Sequence, residues 1–185
     1  MDQSWKCTTR KYLGDYKVFK VRQDNCVSPR TGRTHRFFVL DTPDWVTIVP
    51  VTTSGELICI KQWRPGTGTV ELELPGGIVD PGELPLEAAR RELREETGYV
   101  SKTLDPIGSM APNPAITTNR CHFFLARDAT PTGEQKLDPG EDIIINLVNM
   151  REVPKLITAG ILRHGIIIAA LYHYELYLKS GRTEK

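Results

Sequence analysis

The sequence predicts an α/β fold of the α+β kind: a mixed β-sheet sandwiched between helices, with an N-terminal antiparallel β-region. Three observations point there. Short runs of β-branched and aromatic residues, cut by turn residues, fill the first third of the chain. One clear helical stripe follows near the middle. Further strand-like runs then lead into two closing helical stretches, and such alternation builds a sheet with helices packed on it.

YKVFKVRQD (residues 16–24) and THRFFVLD (34–41) read as strands, parted by a turn-rich loop that includes SPRTGR. WVTIVPVT (45–52) and ELICIKQW (56–63) flank TSG, which reads as a hairpin turn. VELELPGGIV (70–79) alternates apolar and polar residues before meeting Gly76 and Gly77. A helix is predicted to start near residues 84–86, where Pro85 suits a first-turn position that needs no N–H. Leu86, Ala89, Leu93 and Thr97 form its buried stripe, and Gly98 stops it. Strands are predicted near 104–110, 120–126 and 143–148, then helices over 151–159 and 164–178. The predicted organisation is an N-terminal β-strand region (1–43), a main domain (44–180) and a solvated tail (181–185).

Composition narrows the function classes. The chain has 185 residues, 39% apolar, 25% charged and 8% aromatic, which is a globular profile. Lys and Arg number 24 against 23 Asp and Glu, so a strongly basic footprint is missing and nucleic acid is not the expected partner. The most apolar segment, GILRHGIIIAALY (160–172), is interrupted by Arg163 and His164 and is too short to span a bilayer. The first residues lack the apolar core of a secretion signal, so the expected location is the cytoplasm and no membrane partner is expected. Cys7, Cys26, Cys59 and Cys121 show no zinc or thioredoxin spacing. Cys59 and Cys121 sit in apolar runs and read as small core residues.

Glu92, Glu95 and Glu96 stand at i, i+3 and i+4 of the central helix, on the side away from Leu93. Like charges at this spacing cost a helix roughly 0.2–0.5 kcal/mol per pair. Arg91 and Arg94 offset part of that. A hard divalent cation, Mg²⁺ or Mn²⁺, offsets it better, because such ions take clustered carboxylate oxygens. Taken alone, E-x-x-E-E is most often a solvated charged face. Here Gly77, Glu83, Arg91, Glu92, Leu93, Glu95, Glu96 and Gly98 stand as G-x5-E-x7-R-E-L-x-E-E-x-G, eight positions within 22 residues. This resembles the signature box of the Nudix hydrolases at each of those positions. Tyr99 departs from the aliphatic residue that normally closes the box.

The resemblance implies the Nudix-type sheet and a loop–helix–loop that binds divalent cations. It makes Glu92 and Glu96 metal ligands, Glu95 a third, direct or through water, and the carbonyl of Gly76 a further one. Glu95 and Arg91 also enter as catalytic candidates, with Arg91 pairing Glu83 or Glu95 to fix a rotamer. Nudix enzymes cleave a diphosphate linked to another moiety, with bound cations stabilising charge that builds on the phosphate oxygens.

The flanks speak to that moiety. KQWRPGTGTVELELPGG (61–77) resembles the Q-Y-R and E-L-P-A-G run of the ADP-ribose and nucleoside-diphosphate-sugar pyrophosphatases in this superfamily. Arg64 stands at their phosphate-contacting Arg, suited to a diphosphate by its fixed fork. Glu73 either orients Arg64 or supports the metal. Pro114 lies 16 residues after Gly98, close to the family's offset, but SMAPNPAITTNR departs from the S-P-G-x-S-x-E of that subgroup. Asn113, Asn119 and Arg120 are candidate contacts to sugar or terminal phosphate. LDPGEDIIINLV (137–148) resembles the loop that brings a late Glu to the metals, so Glu141 is the candidate general base or extra ligand, with Asp142 able to share the role. The subgroup also implies a homodimer built by the N-terminal strands, which help form the nucleoside pocket. Tyr16, Phe37, Phe38 and Trp45 are candidates to stack on a base, although strand aromatics are usually core. His164, at a helix start, reads as a cap-region or surface residue.

The expected activity is therefore metal-dependent hydrolysis of nucleoside diphosphate sugars, ADP-ribose or GDP-mannose among them, to a nucleoside monophosphate and a sugar phosphate. The alternatives are a triphosphate or dinucleoside polyphosphate hydrolase of the same fold, and a non-catalytic nucleotide-sugar sensor. Retention of all four box carboxylates weighs against the sensor.

Overall fold

The structure is a computed structural model and describes residues 4–181. The expected tail beyond Gly181 lies outside the described residues. The chain divides into two compact units: residues up to Asp44 together with Ala111–Arg120, and Trp45–Met110 together with Cys121 onward.

The first unit holds a three-stranded antiparallel sheet of β1 (Lys6–Asp15), β2 (Lys20–Val27) and β3 (Thr34–Asp41). The sequence did not point to β1, and the expected strand at 16–24 starts later, at Lys20. Tyr16 and Lys17 form the turn between β1 and β2, with Lys17 at φ 68. Cys7 and Cys26 face each other across β1 and β2 and are joined by a disulfide. Arg22 is buried in β2, where it pairs with Asp24 and with Asp41 on β3. A buried guanidinium needs such partners to offset its lost hydration. The 111–120 segment joins this unit through Leu40, whose N–H donates to the Ile116 carbonyl at 2.7 Å.

The second unit holds a seven-stranded mixed sheet. Its strands are β4 (Trp45–Thr52), β5 (Glu56–Arg64), β6 (Thr69–Glu73), β7 (Tyr99–Val100), β8 (Thr103–Met110), β9 (Cys121–Pro131) and β10 (Ile143–Asn149). The order β10-β5-β4-β9-β7 is its spine, with β6 on β5 and β8 on β9. β4 and β9 run parallel; the other pairings are antiparallel. The central runs IVPV and LICI are apolar at successive positions because both faces of the sheet are covered. On one face Val46, Ile48, Phe124 and Ala126 pack with Ala88, Ala89 and Leu93 of α1 (Pro85–Thr97). On the other, Val49, Phe123 and Leu125 pack with Ile167, Ala170 and Leu171 of α3 (Gly165–Lys179). The predicted mixed sheet between helices is thus present. A 3₁₀ turn (Met150–Glu152) and α2 (Val153–Thr158) take the place of the single helix expected over 151–159. Cys59 and Cys121 are buried thiols that take no part in the disulfide. Among the described residues, no helix is long and apolar enough to cross a membrane.

Candidate active site

The site begins with α1. Pro85 occupies its first turn, and Gly98 ends it at φ 65, returning its N–H to the Arg94 carbonyl at 2.8 Å. Burial of Ala88, Ala89 and Leu93 against the sheet fixes the rotation of the helix. That rotation buries Glu92 and Glu96 and leaves Glu95 half-exposed.

Arg91 is the hub. Its Nε and Nη2 each donate to the Glu83 carboxylate at 3.0 Å. Its Nη1 donates to Glu92 at 2.7 Å and Glu95 at 3.4 Å, and Nη2 also reaches the Ile78 carbonyl at 3.0 Å. The guanidinium beside it holds the Glu83 carboxyl below its ordinary pKa. Burial pushes Glu92 up, partly opposed by Arg91 and reinforced by the charges of Glu141 and Glu95. Glu96 is 2% exposed. Burial raises its pKa to about 8; the Gly76 N–H, donating at 2.8 Å, opposes the rise, and the charges of Glu92 and Glu141 add to it.

The glycines ahead of the helix are tightly placed. The segment is pinned to β4 where Ile48 N–H donates to the Pro75 carbonyl and Val46 N–H to the Gly77 carbonyl, each at 2.9 Å. A Cβ on Gly76 would lie 2.2 Å from the Val46 carbonyl oxygen, and one on Gly77 would lie 2.3 Å from Glu92 Oε1. At Gly76 the clash is with backbone, so only glycine lets this segment lie so close to β4.

Glu141 sits in the turn before β10, where its carboxylate accepts from Asp138 N–H at 3.0 Å. This loop is stitched to the end of α1. Lys136 N–H donates to the Glu95 carbonyl at 2.8 Å, and the Gln135 side-chain amide bonds the carbonyls of Glu96 and Ile143. Gln135 was not among the sequence candidates.

Arg64, at the end of β5, spends Nε and Nη2 on one oxygen of Glu73, at 2.9 and 2.6 Å. His164, immediately before α3, places Nδ1 2.8 Å from the other oxygen. It stands at the cap position, yet its side chain caps nothing and serves Glu73 instead. Burial works against the charge of Glu73, but bonds from His164 and Arg64 outweigh it and hold the pKa below the ordinary value. A cleft of about 360 Å³ runs from these groups to Gly76 and Gly77, walled by Trp45, Leu74 and Ile167. The charge of Arg64 is felt at Glu96, where it favours the ionised form. The cleft thus brings Arg64 toward Gly76 and Gly77, whose backbone lies against Glu96 and Glu92.

Asn113, Asn119 and Arg120 lie in the first unit. The Asn113 carbonyl accepts from the N–H groups of Ile116 and Thr117, and Arg120 N–H donates to Asp44 at 2.8 Å. Asn119 is buried, and neither atom of its amide has a partner among the described residues.

Among the described residues no group of three or more acidic, His or Cys side chains stands arranged to hold an ion. Arg91 engages Glu92 and Glu95, and the Gly76 N–H engages Glu96. The donor chemistry nevertheless fits a hard divalent cation. Arg91 bonds three carboxylates, Glu83, Glu92 and Glu95, while Glu141 adds further negative charge and Glu96 a buried carboxyl that a cation would ionise. Negative charge thus exceeds what that guanidinium balances, and two of the carboxyls are desolvated.

The NUDIX domain family model matches residues 42–170. The chain is 32% identical over 153 residues to an ADP-ribose pyrophosphatase of Bacillus subtilis, covering 82% of each. It is 26% identical over 194 residues to an ADP-sugar pyrophosphatase of Mus musculus, covering 96% of this chain and 88% of the relative. A crystal structure of an ADP compounds hydrolase superposes with a TM-score of 0.85 at 23% identity, over 99% of this chain and 98% of the other, a likeness of fold.

Proposed function

The chain belongs to the NUDIX domain family, and from that premise we propose that it hydrolyses the pyrophosphate bond of nucleoside diphosphate sugars, ADP-ribose first among them. The products are a nucleoside monophosphate and a sugar phosphate. The observation that carries this reading is the cleft that brings Arg64 toward Gly76 and Gly77, whose backbone lies against the α1 carboxylates Glu96 and Glu92. A phosphate-binding fork beside a carboxylate cluster suits a diphosphate better than a single phosphate ester.

In this proposal Glu92, Glu95, Glu96 and the Gly76 carbonyl hold Mg²⁺ or Mn²⁺. When bound, the ion neutralises phosphate charge and acidifies water. Arg64 binds and orients the diphosphate, backed by Glu73. Trp45 and the apolar wall near it accept a base or other flat group. Water adds to one phosphorus, the bridging P–O bond breaks, and Glu141 takes the proton as general base. Arg91 keeps Glu92 and Glu95 from swinging away. The proposal includes a homodimer formed by the first unit.

The test is a substrate panel with each metal: ADP-ribose, GDP-mannose, UDP-glucose, a dinucleoside polyphosphate and a nucleoside triphosphate. The highest kcat/KM is expected for ADP-ribose, with AMP and ribose phosphate as products and no turnover in chelator. Preference for the triphosphate would overturn the substrate class. Persistent turnover without metal would overturn the cofactor.

A further inference from the structure

Two consecutive residues ahead of α3 each grip a carboxylate of β6. Arg163 donates to Glu71 from Nε at 2.9 Å and from Nη2 at 2.6 Å. His164 bonds Glu73 at 2.8 Å. Glu71 and Glu73 are two residues apart on the strand, so they project from the same face. The two grips look alike but end differently. Glu71 finds its remaining partner in Thr69, its near neighbour on the same strand. Glu73 passes the contact onward to Arg64, whose Nε and Nη2 both rest on Oε2. The two N–H groups of Nη1 and the second N–H of Nη2 remain as the Arg64 donors for a ligand in the cleft.

We propose that His164 is a positioning residue for the diphosphate: by holding one oxygen of Glu73, it fixes the other oxygen and hence the bearing of the Arg64 guanidinium. The proposal rests on the reading of Arg64 as the diphosphate ligand. The physical reason is burial. Glu73 is 2% exposed, so an oxygen that loses its partner there has no bulk water to replace it. Without His164 the carboxylate gains freedom to rotate, and the guanidinium resting on it loses its fixed orientation. A guanidinium aimed in advance binds an anion without first giving up rotamer freedom. Because a carboxylate can only accept, Nδ1 carries the proton in this contact. Arg163 is a built-in control: it fastens the same short segment to the same strand, but its hydrogen bonds go to Glu71 and Thr69 rather than to Glu73.

The experiment compares His164→Ala, His164→Asn, Arg163→Ala, Arg64→Ala and the double variant Arg64→Ala/His164→Ala. Binding of inorganic pyrophosphate is read by calorimetry, and KM and kcat with the preferred panel substrate. Loss of one charge-assisted bond predicts about tenfold weaker pyrophosphate binding and about tenfold higher KM for His164→Ala, with kcat changed less than about threefold. Asn presents an amide N–H close to where Nδ1 lies, so His164→Asn restores binding to within about threefold. Arg163→Ala binds as the wild type does. The double variant binds no more weakly than Arg64→Ala, because His164 acts only through Arg64. Should His164→Ala fail to fold, His164→Gln takes its place, and it must bind about tenfold more weakly than His164→Asn. Weak binding by Arg64→Ala with normal binding by His164→Ala overturns the role of His164 alone. Normal binding by Arg64→Ala overturns the reading of Arg64 and this inference with it. Equal losses in Arg163→Ala and His164→Ala reduce both residues to anchors of α3 and overturn the inference.

Discussion

Glu96 combines burial, a single backbone donor and two like-charged neighbours, and this is an unfavourable setting for a lone carboxylate. Gln is the informative replacement. It keeps the size, and its amide oxygen still accepts from the Gly76 N–H, but it removes the charge a cation would use. Glu96→Gln is therefore expected to lower turnover at least ~10²-fold, since losing metal stabilisation is worth several kcal/mol of barrier. Its melting temperature should stay near that of the wild type. Steady-state kinetics and a melt decide it, and nearly normal rates would remove Glu96 from the ligands of the ion. Residues of this kind were legible in the sequence because their relations are short-range. Arg91 reaches Glu92 and Glu95 within one helical turn, so the group falls inside the short stretch whose eight matched positions singled it out. His164 was not legible as a partner of Glu73, because 91 residues separate the two and no periodicity records that contact.

The clasp between β6 and the start of α3 makes a prediction about acid. Hydrogen bonds from Arg163, and then from Thr69, hold the Glu71 carboxyl down at about 2, against an ordinary 4.5. A carboxyl with a lowered folded-state pKa stabilises the fold fully above the unfolded value, and that contribution drains away as pH falls through the folded one. Urea titrations of wild type and Glu71→Gln should thus show the variant less stable at neutral pH. The gap should narrow between pH 4.5 and about 2. A gap that stays constant down this range would mean that the charge of Glu71 is not what the clasp uses. Elements were legible to the degree that one face met the core. α1 showed its stripe, and β4 and β5 showed as strand-like runs either side of a turn. β1 is exposed along almost its whole length, so KCTTRKYLGD carries no alternation to read. The Cys7–Cys26 disulfide went unread with it, since only the pairing of β1 with β2 brings those positions together.

At the scale of the whole molecule, the two units differ in how they bury apolar surface. The second covers both faces of its sheet with helices. The first is a three-stranded sheet that leaves Trp5, Tyr12, Tyr16, Phe37 and Phe38 substantially exposed. Aromatic surface of that extent marks a site of association. Phe37 and Phe38 are neighbours on β3, so they point to opposite faces of the sheet. Phe37 stands across from Asp24, on the face where Arg22 and Asp24 are already buried, and it carries the Trp5 ring 5.2 Å away. Phe38, across from Gln23, is the more open of the two at 55% exposed against 41%. The proposed dimer is accordingly expected to use the Phe38 face. Sedimentation should give a dimer for the wild type and for Phe37→Glu, and a monomer for Phe38→Glu. The opposite pattern would move the interface to the other face of the sheet. A wild type that sediments as a monomer would remove the dimer, and the exposed aromatics would then need another partner.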